Sequence, residues 1–149
     1  MKSTADELQK IIDEHLLFLQ RISPEKFNLK ESPGKWSRKE ILGHLVDSAQ
    51  NNIRRFVVAQ YEQVPKITYN QDKWVAISAY EHYNDEDLIN LWKLLNKHIC
   101  HILINTSPEM AQSESQTEAL HSIEWLAKDY NKHLLHHLHQ VLDLEPVSY

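Results

Sequence analysis

A chain of 149 residues with 42% hydrophobic side chains is long enough to bury a core of its own, and residues 1–149 are read as a single domain. Its net charge of −5, carried without any Lys/Arg cluster, excludes nucleic acid as the main partner and leaves a small molecule as the expected one. No run approaches the roughly 20 apolar residues of a membrane span. The single cysteine, Cys100, excludes an internal disulfide, and with no apolar leader the expected compartment is the cytoplasm. Two Gly and five Pro among abundant Leu, Ile, Lys, Glu, Gln and Ala favour a mostly helical protein.

Residues 3–22 place Leu8, Ile11, Ile12, Leu16, Leu19 and Ile22 at helical spacing, behind a Thr4-Ala5-Asp6-Glu7 start that has the form of a capping box. His15 lies near that stripe, where a lone histidine reads as packed rather than ligating. Pro24, Pro33 and Gly34 rule out one continuous element over residues 23–36, which are read as a connection. Ser37 then supplies an N-cap with Glu40 three residues on, and Trp36 and Ile41 occupy the two positions of a hydrophobic staple. The second helix therefore starts at Ser37, and its pattern runs to about Gln60.

Its buried arc is Ile41, Leu45, Ala49, Asn52 and Phe56, and along one edge runs a polar stripe of His44, Asp47, Ser48, Asn51 and Arg55. A helix that only packed would continue its apolar arc, whereas these groups need partners. For Asp47 and Arg55 a solvated flank explains the pattern; for His44, set between Ile41, Leu45 and Ser48, it does not. Gly43 lies on the opposite face, where it costs about 1 kcal/mol relative to Ala and allows another segment or subunit to approach closely.

Residues 64–75 form a loop rich in aromatic and amide side chains, followed by a short helix to Tyr80. Tyr69, Asn70 and Trp74 are candidates for the mouth of a site, or for packing at the end of the protein. Asn84 caps a third helix reaching about Ile104, with Leu88, Leu91, Trp92, Leu95, Ile99, Ile102 and Leu103 as its apolar arc and Asn96 at the edge. His98 and His101 fall outside that arc and read as surface residues. Polar residues 105–121 are a long connection, and Ser122 caps a last helix to about Leu142.

That last helix packs four of the ten histidines into residues 133–139. At about 100° per residue, His133 and His137 share one face beside Asp129 and Gln140, next to the apolar side of Leu126, Tyr130, Leu134, Leu138 and Val141. His136 and His139 point the other way, toward water. An i, i+4 imidazole pair can grip one metal ion, and His44 would complete a set of three neutral nitrogen ligands. Four helices joined by connections that cross the bundle end suit a four-helix bundle in which facing helices share such a site.

The stretches Trp36-Ser37, Gly43-His44-Leu45-Val46-Asp47-Ser48-Ala49-Gln50-Asn51-Asn52, Tyr69-Asn70-Gln71-Asp72-Lys73-Trp74-Val75, Leu91-Trp92 with Asn96, and Asp129-Tyr130 with His133, His137 and Gln140 resemble the DinB-like superfamily over nearly the whole chain. The resemblance implies an all-α four-helix bundle with a long crossover connection, often dimeric, holding a divalent ion such as zinc or nickel on His44, His133 and His137. It implies a thiol-dependent S-transferase or isomerase using a low-molecular-weight thiol, or a metal-dependent hydrolase; a metal-containing binding or stress-response protein without turnover is the competing reading of the same pocket. In the enzymatic readings Asp47 or Asp129 accepts a proton or supports a ligand. Ser48, Asn51, Asn52, Arg55, Tyr69, Asn70, Trp74, Asn96 and Gln140 would line the pocket. Cys100 need take no part.

Overall fold

The capping box anticipated at Ser37 is complete: its hydroxyl accepts from the Glu40 amide at 3.1 Å, and Glu40 returns a carboxylate oxygen to the Ser37 amide at 2.7 Å. It opens α3 (Arg38–Val58) in a computed structural model that describes residues 1–149. The other helices are α1 (Lys2–Arg21), α2 (Pro24–Asn28), α4 (Gln71–Ser78), α5 (Asp85–Asn105) and α6 (Ile123–Leu142). Asn84 caps α5 and Ser122 caps α6 through their side-chain oxygens, as the sequence indicates.

The long helices α1, α3, α5 and α6 make a four-helix bundle. Both α1 and α3 pack against α5 and against α6, so α1 and α3 stand across the bundle from each other, as do α5 and α6. This crossed order sets α3 beside α6, although α4, α5 and the hairpin that follows α5 lie between them in the chain. Between the helices, 27 buried apolar residues form one connected core around Trp92, Phe56 and Phe27, each wholly buried. No helix is long and apolar enough to cross a membrane.

Three local expectations need correction. The first helix begins at Lys2, without a side-chain cap; Thr4 is buried inside it, and Glu7 accepts from the Asn131 amide at 2.9 Å instead of closing a box. Within residues 23–36, Ser23 caps the short helix α2, with Pro24 at its first position, where a missing N–H costs nothing. The connection after α5 holds a hairpin, β1 (Glu114–Gln116) with β2 (Leu120–Ser122), whose three-residue strands are too short to show alternation.

The hairpin fixes the loop after α3. The Ile67 amide donates to the Gln116 carbonyl at 3.0 Å, and the Ser115 hydroxyl donates to the Pro65 carbonyl at 3.0 Å. Ile67 is thereby held with its own carbonyl turned to Arg55, which donates from Nε at 3.2 Å and from Nη2 at 3.0 Å.

Candidate metal centre

Buried between α5, α6 and the segment after α4, α3 has no solvated flank over much of its length: His44, Asp47 and Asn51 are each 1% exposed. His44 faces α6, where Nε2 lies 3.2 Å from Nε2 of His133. The imidazole centroids are 5.1 Å apart for His44 and His133, 5.0 Å for His44 and His137, and 4.5 Å for His133 and His137. One ring nitrogen from each histidine falls within 4.8 Å of the other two. Nitrogens bound tetrahedrally to one ion at about 2.0–2.1 Å stand about 3.3 Å apart, so the His44–His133 spacing is that of two ligands on one ion.

Electrostatics favour the same reading. Burial, reinforced by the neighbouring His137, pulls His44 down to about 4, and burial with the other imidazoles pulls His133 down to about 3. Burial also lowers His137, against the opposing hydrogen bond to Gln140. The rings are therefore neutral at ordinary pH and turn lone pairs, not charge, toward the space they share. His137 donates from Nδ1 to the Gln140 side-chain oxygen at 2.7 Å, which leaves its Nε2 free for a ligand.

The rest of the His-rich helix departs from expectation. His136 and His139 are half-buried rather than turned to water, because the chain after α6 folds back over them. His136 donates from Nδ1 to the Val147 carbonyl at 2.9 Å and accepts from the Gln140 amide at 3.1 Å; His139 donates to the Glu145 carbonyl at 2.6 Å. Gln140 thus links a ligand candidate to a histidine that is not one. His15 is buried with Nδ1 on the Ile11 carbonyl at 2.7 Å, and His98 and His101 are exposed, as the sequence suggests.

Beside His133 a chamber of about 120 Å³ is lined by Ser48, Asn52, Arg55, Tyr69, Asp129 and Tyr149. Arg55 spends three of its five N–H groups on Ile67 and Asn52, leaving two. Asp129 accepts from the Tyr149 hydroxyl at 3.2 Å. The Tyr149 ring stands edge-on to His133 at 5.3 Å, and burial near Asp129 pushes its phenol up to about 12. Past Tyr69 and Tyr149 the chamber meets a wider cleft of about 460 Å³, at whose wall Trp125 stacks on His121 with centroids 3.6 Å apart.

Five of the candidate pocket residues do other work. Asn51 donates to the Asp47 carbonyl and Asn96 to the Trp92 carbonyl, both within their own helices, and Asn96 also accepts from the buried Tyr130 hydroxyl. Asn70 caps α4. Trp74 meets Tyr69 edge-on at 5.5 Å, backing the chamber wall instead of forming its mouth. Gln140 lines a separate cleft of about 780 Å³ together with Trp36. Trp36 is more than the staple it resembles, since its indole lies 5.3 Å from the His44 ring. Trp36, Tyr80 and Tyr149 are the neighbours of the site that sequence periodicity does not single out.

A crossed four-helix bundle with a His triad between α3 and α6 defines a recognisable class. The DinB superfamily model matches residues 7–141, and the chain belongs to that family. No curated protein matches it in sequence. Among solved structures it is similar to YfiT from Bacillus subtilis, described as a probable metal-dependent hydrolase with an unusual four-helix bundle topology. The TM-score is 0.80 at 18% identity, over 96% of this chain and 86% of that one.

Proposed function

We propose that this protein uses a divalent ion, held by His44, His133 and His137, to activate a small nucleophile against an electrophile bound in the Arg55–Asp129 chamber. The observation that carries this reading is the convergence of three neutral imidazoles, two of them with Nε2 atoms 3.2 Å apart. An ion with only neutral ligands keeps its full charge and acts as a Lewis acid, lowering the pKa of a thiol or water beside it. A low-molecular-weight thiol is the favoured nucleophile, because an uncompensated dication prefers an anionic sulfur ligand. The sulfur–carbon bond forms as the carbon–leaving-group bond breaks, and the thiol proton passes to Asp129 or to water. Arg55, through its two uncommitted N–H groups, and the hydroxyls of Ser48 and Tyr69 orient the polar end of the substrate.

A second reading, hydrolysis, is favoured by the likeness to YfiT. Water then replaces the thiol, and Asp129 again lies beside His133 to accept the proton. The test is to load the purified chain with zinc or nickel, then assay thiol addition to an activated aryl halide and hydrolysis of an activated ester. Thiol-dependent turnover abolished by His44→Ala supports transfer. Ester hydrolysis with the same dependence and no thiol requirement supports the hydrolase.

A further inference from the structure

Two buried polar atoms at the site have no hydrogen-bond partner: Nδ1 of His44 and one carboxylate oxygen, Oδ2, of Asp47. Both residues are 1% exposed, and they stand three positions apart on α3, where side chains are neighbours with Cβ atoms about 5–6 Å apart. The two orphans are complementary. A neutral imidazole that turns its Nε2 lone pair to an ion carries its proton on Nδ1, so His44 has a donor to place, and Asp47 has an acceptor to fill. Within the same triad, His137 shows the arrangement completed, with its Nδ1–H on the Gln140 side-chain oxygen.

The other oxygen of Asp47 is already fixed. It accepts from the Tyr80 hydroxyl at 2.5 Å. Tyr80 is itself buried, and it reaches this point because Gly43 has no side chain: a Cβ there would lie 2.2 Å from the nearest carbon of the Tyr80 ring. The backbone turns sharply into this segment at Ala79, at φ 49°. Burial and the Tyr80 hydroxyl, not a cation, dominate the surroundings of Asp47, and a buried carboxyl oxygen left without a partner is costly.

We propose that Asp47 is a positioning residue that takes the Nδ1–H of His44 when the triad holds its ion, and that Tyr80, admitted by Gly43, holds Asp47 in place for it. Fixing the tautomer and plane of His44 makes it a better ligand, and loss of such a partner typically costs about 10- to 100-fold in metal affinity. The inference rests on the triad binding an ion, and its test separates the two claims.

The experiment measures Zn²⁺ affinity by competition with a chromophoric chelator for the unmodified chain, Asp47→Asn, Tyr80→Phe and the surface control His98→Ala, with ¹⁵N spectra of the His44 ring in the zinc-loaded samples. The expected result is about a 10- to 100-fold weaker Kd for Asp47→Asn, a smaller loss for Tyr80→Phe, and no change for His98→Ala. The His44 Nδ1–H signal should be far downfield in the unmodified chain and move upfield in both site variants. A purely structural Asp47 would shift thermal stability but leave the Kd and that signal alone, which overturns the proposal. If Asp47→Asn does not fold, Tyr80→Phe decides: an unchanged Kd and Nδ1–H signal overturn it. If the unmodified chain binds no zinc, the metal reading itself falls and takes this inference with it.

Discussion

The indole of Trp36 lies 5.3 Å from the imidazole of His44, tilted by 35°, so the residue that precedes the α3 cap also forms a wall of the His triad. Its staple partner Ile41 is half-buried, and both pack on the core. Trp36→Ala is therefore expected to lower stability by about 2 kcal/mol in denaturant unfolding, less than truncation of a fully buried indole. It should also alter the site: Ni²⁺ or Co²⁺ added to the unmodified chain will quench tryptophan fluorescence, and Trp36→Phe will lose most of that quenching. Equal quenching in Trp36→Phe would place the ion away from His44.

Metal content tests the triad directly. His44→Ala and His137→Ala are expected to bring zinc-to-protein ratios close to zero after dialysis, whereas His139→Ala, whose ring holds the Glu145 carbonyl, should retain the ion. His136→Ala removes the acceptor for the Gln140 amide, and so loosens the group that holds His137; a modest loss of affinity is expected, well short of that for His137→Ala.

Acid stability carries a defined sign. His44 at about 4 and His133 at about 3 lie below the ordinary value of 6.5, and His137 is lowered as well. Above 6.5 these groups leave stability untouched; as pH falls from 6.5 through their folded values, the unfolded chain takes up protons that the native triad refuses, and stability declines. Asp47 opposes this, because burial raises it from 3.8 to about 6, so its charge is relieved as pH falls through that value. Three imidazoles outweigh one carboxyl. The denaturant midpoint of the metal-free protein should fall between about pH 7 and about 4.5, less steeply in His133→Gln. With protons competing weakly, bound zinc should be retained to about pH 5.5, which chelator titration across pH checks.

Gly43→Ala should destabilise the chain even though alanine is the better helix former by about 1 kcal/mol. The added methyl must displace the buried Tyr80 ring, and overpacking of this kind costs about 1–3 kcal/mol. Urea midpoints check this: a lower midpoint for Gly43→Ala is expected, and a higher one would show that the Tyr80 ring moves aside freely.

What the sequence made legible was local. Ser37 with Glu40, Asn84 and Ser122 cap their helices through bonds to residues three positions on, so the starts of α3, α5 and α6 could be read from neighbours in the chain. Helical phase alone was enough to turn His44 inward and to put His133 with His137. The same phase could not show that Asn51 and Asn96 each spend their amide on the carbonyl four residues back, because periodicity does not register that bond. The position of Trp36 against His44, of Tyr80 against Asp47, and of the returning tail over His136 depends on how separate elements dock. Such contacts leave no spacing to find.

The order of helices in the bundle makes the triad a sensor of completed folding. His44 and His133 are 89 positions apart, so their meeting closes a loop of more than half the chain and belongs to the slow, non-local part of assembly. Two of the three histidines sit one turn apart on α6 and can be presented early, but on the proposed reading they would form only a weak, incomplete chelate until α3 docks alongside. If the proposed ion binds, its uptake would distinguish the native topology from any partly assembled bundle, and by mass action its binding energy would add to global stability rather than to that of one helix. Fraying of α6 alone would then release it, so in a metal-loaded sample the rate of loss to excess chelator is expected to report how often the last helix opens.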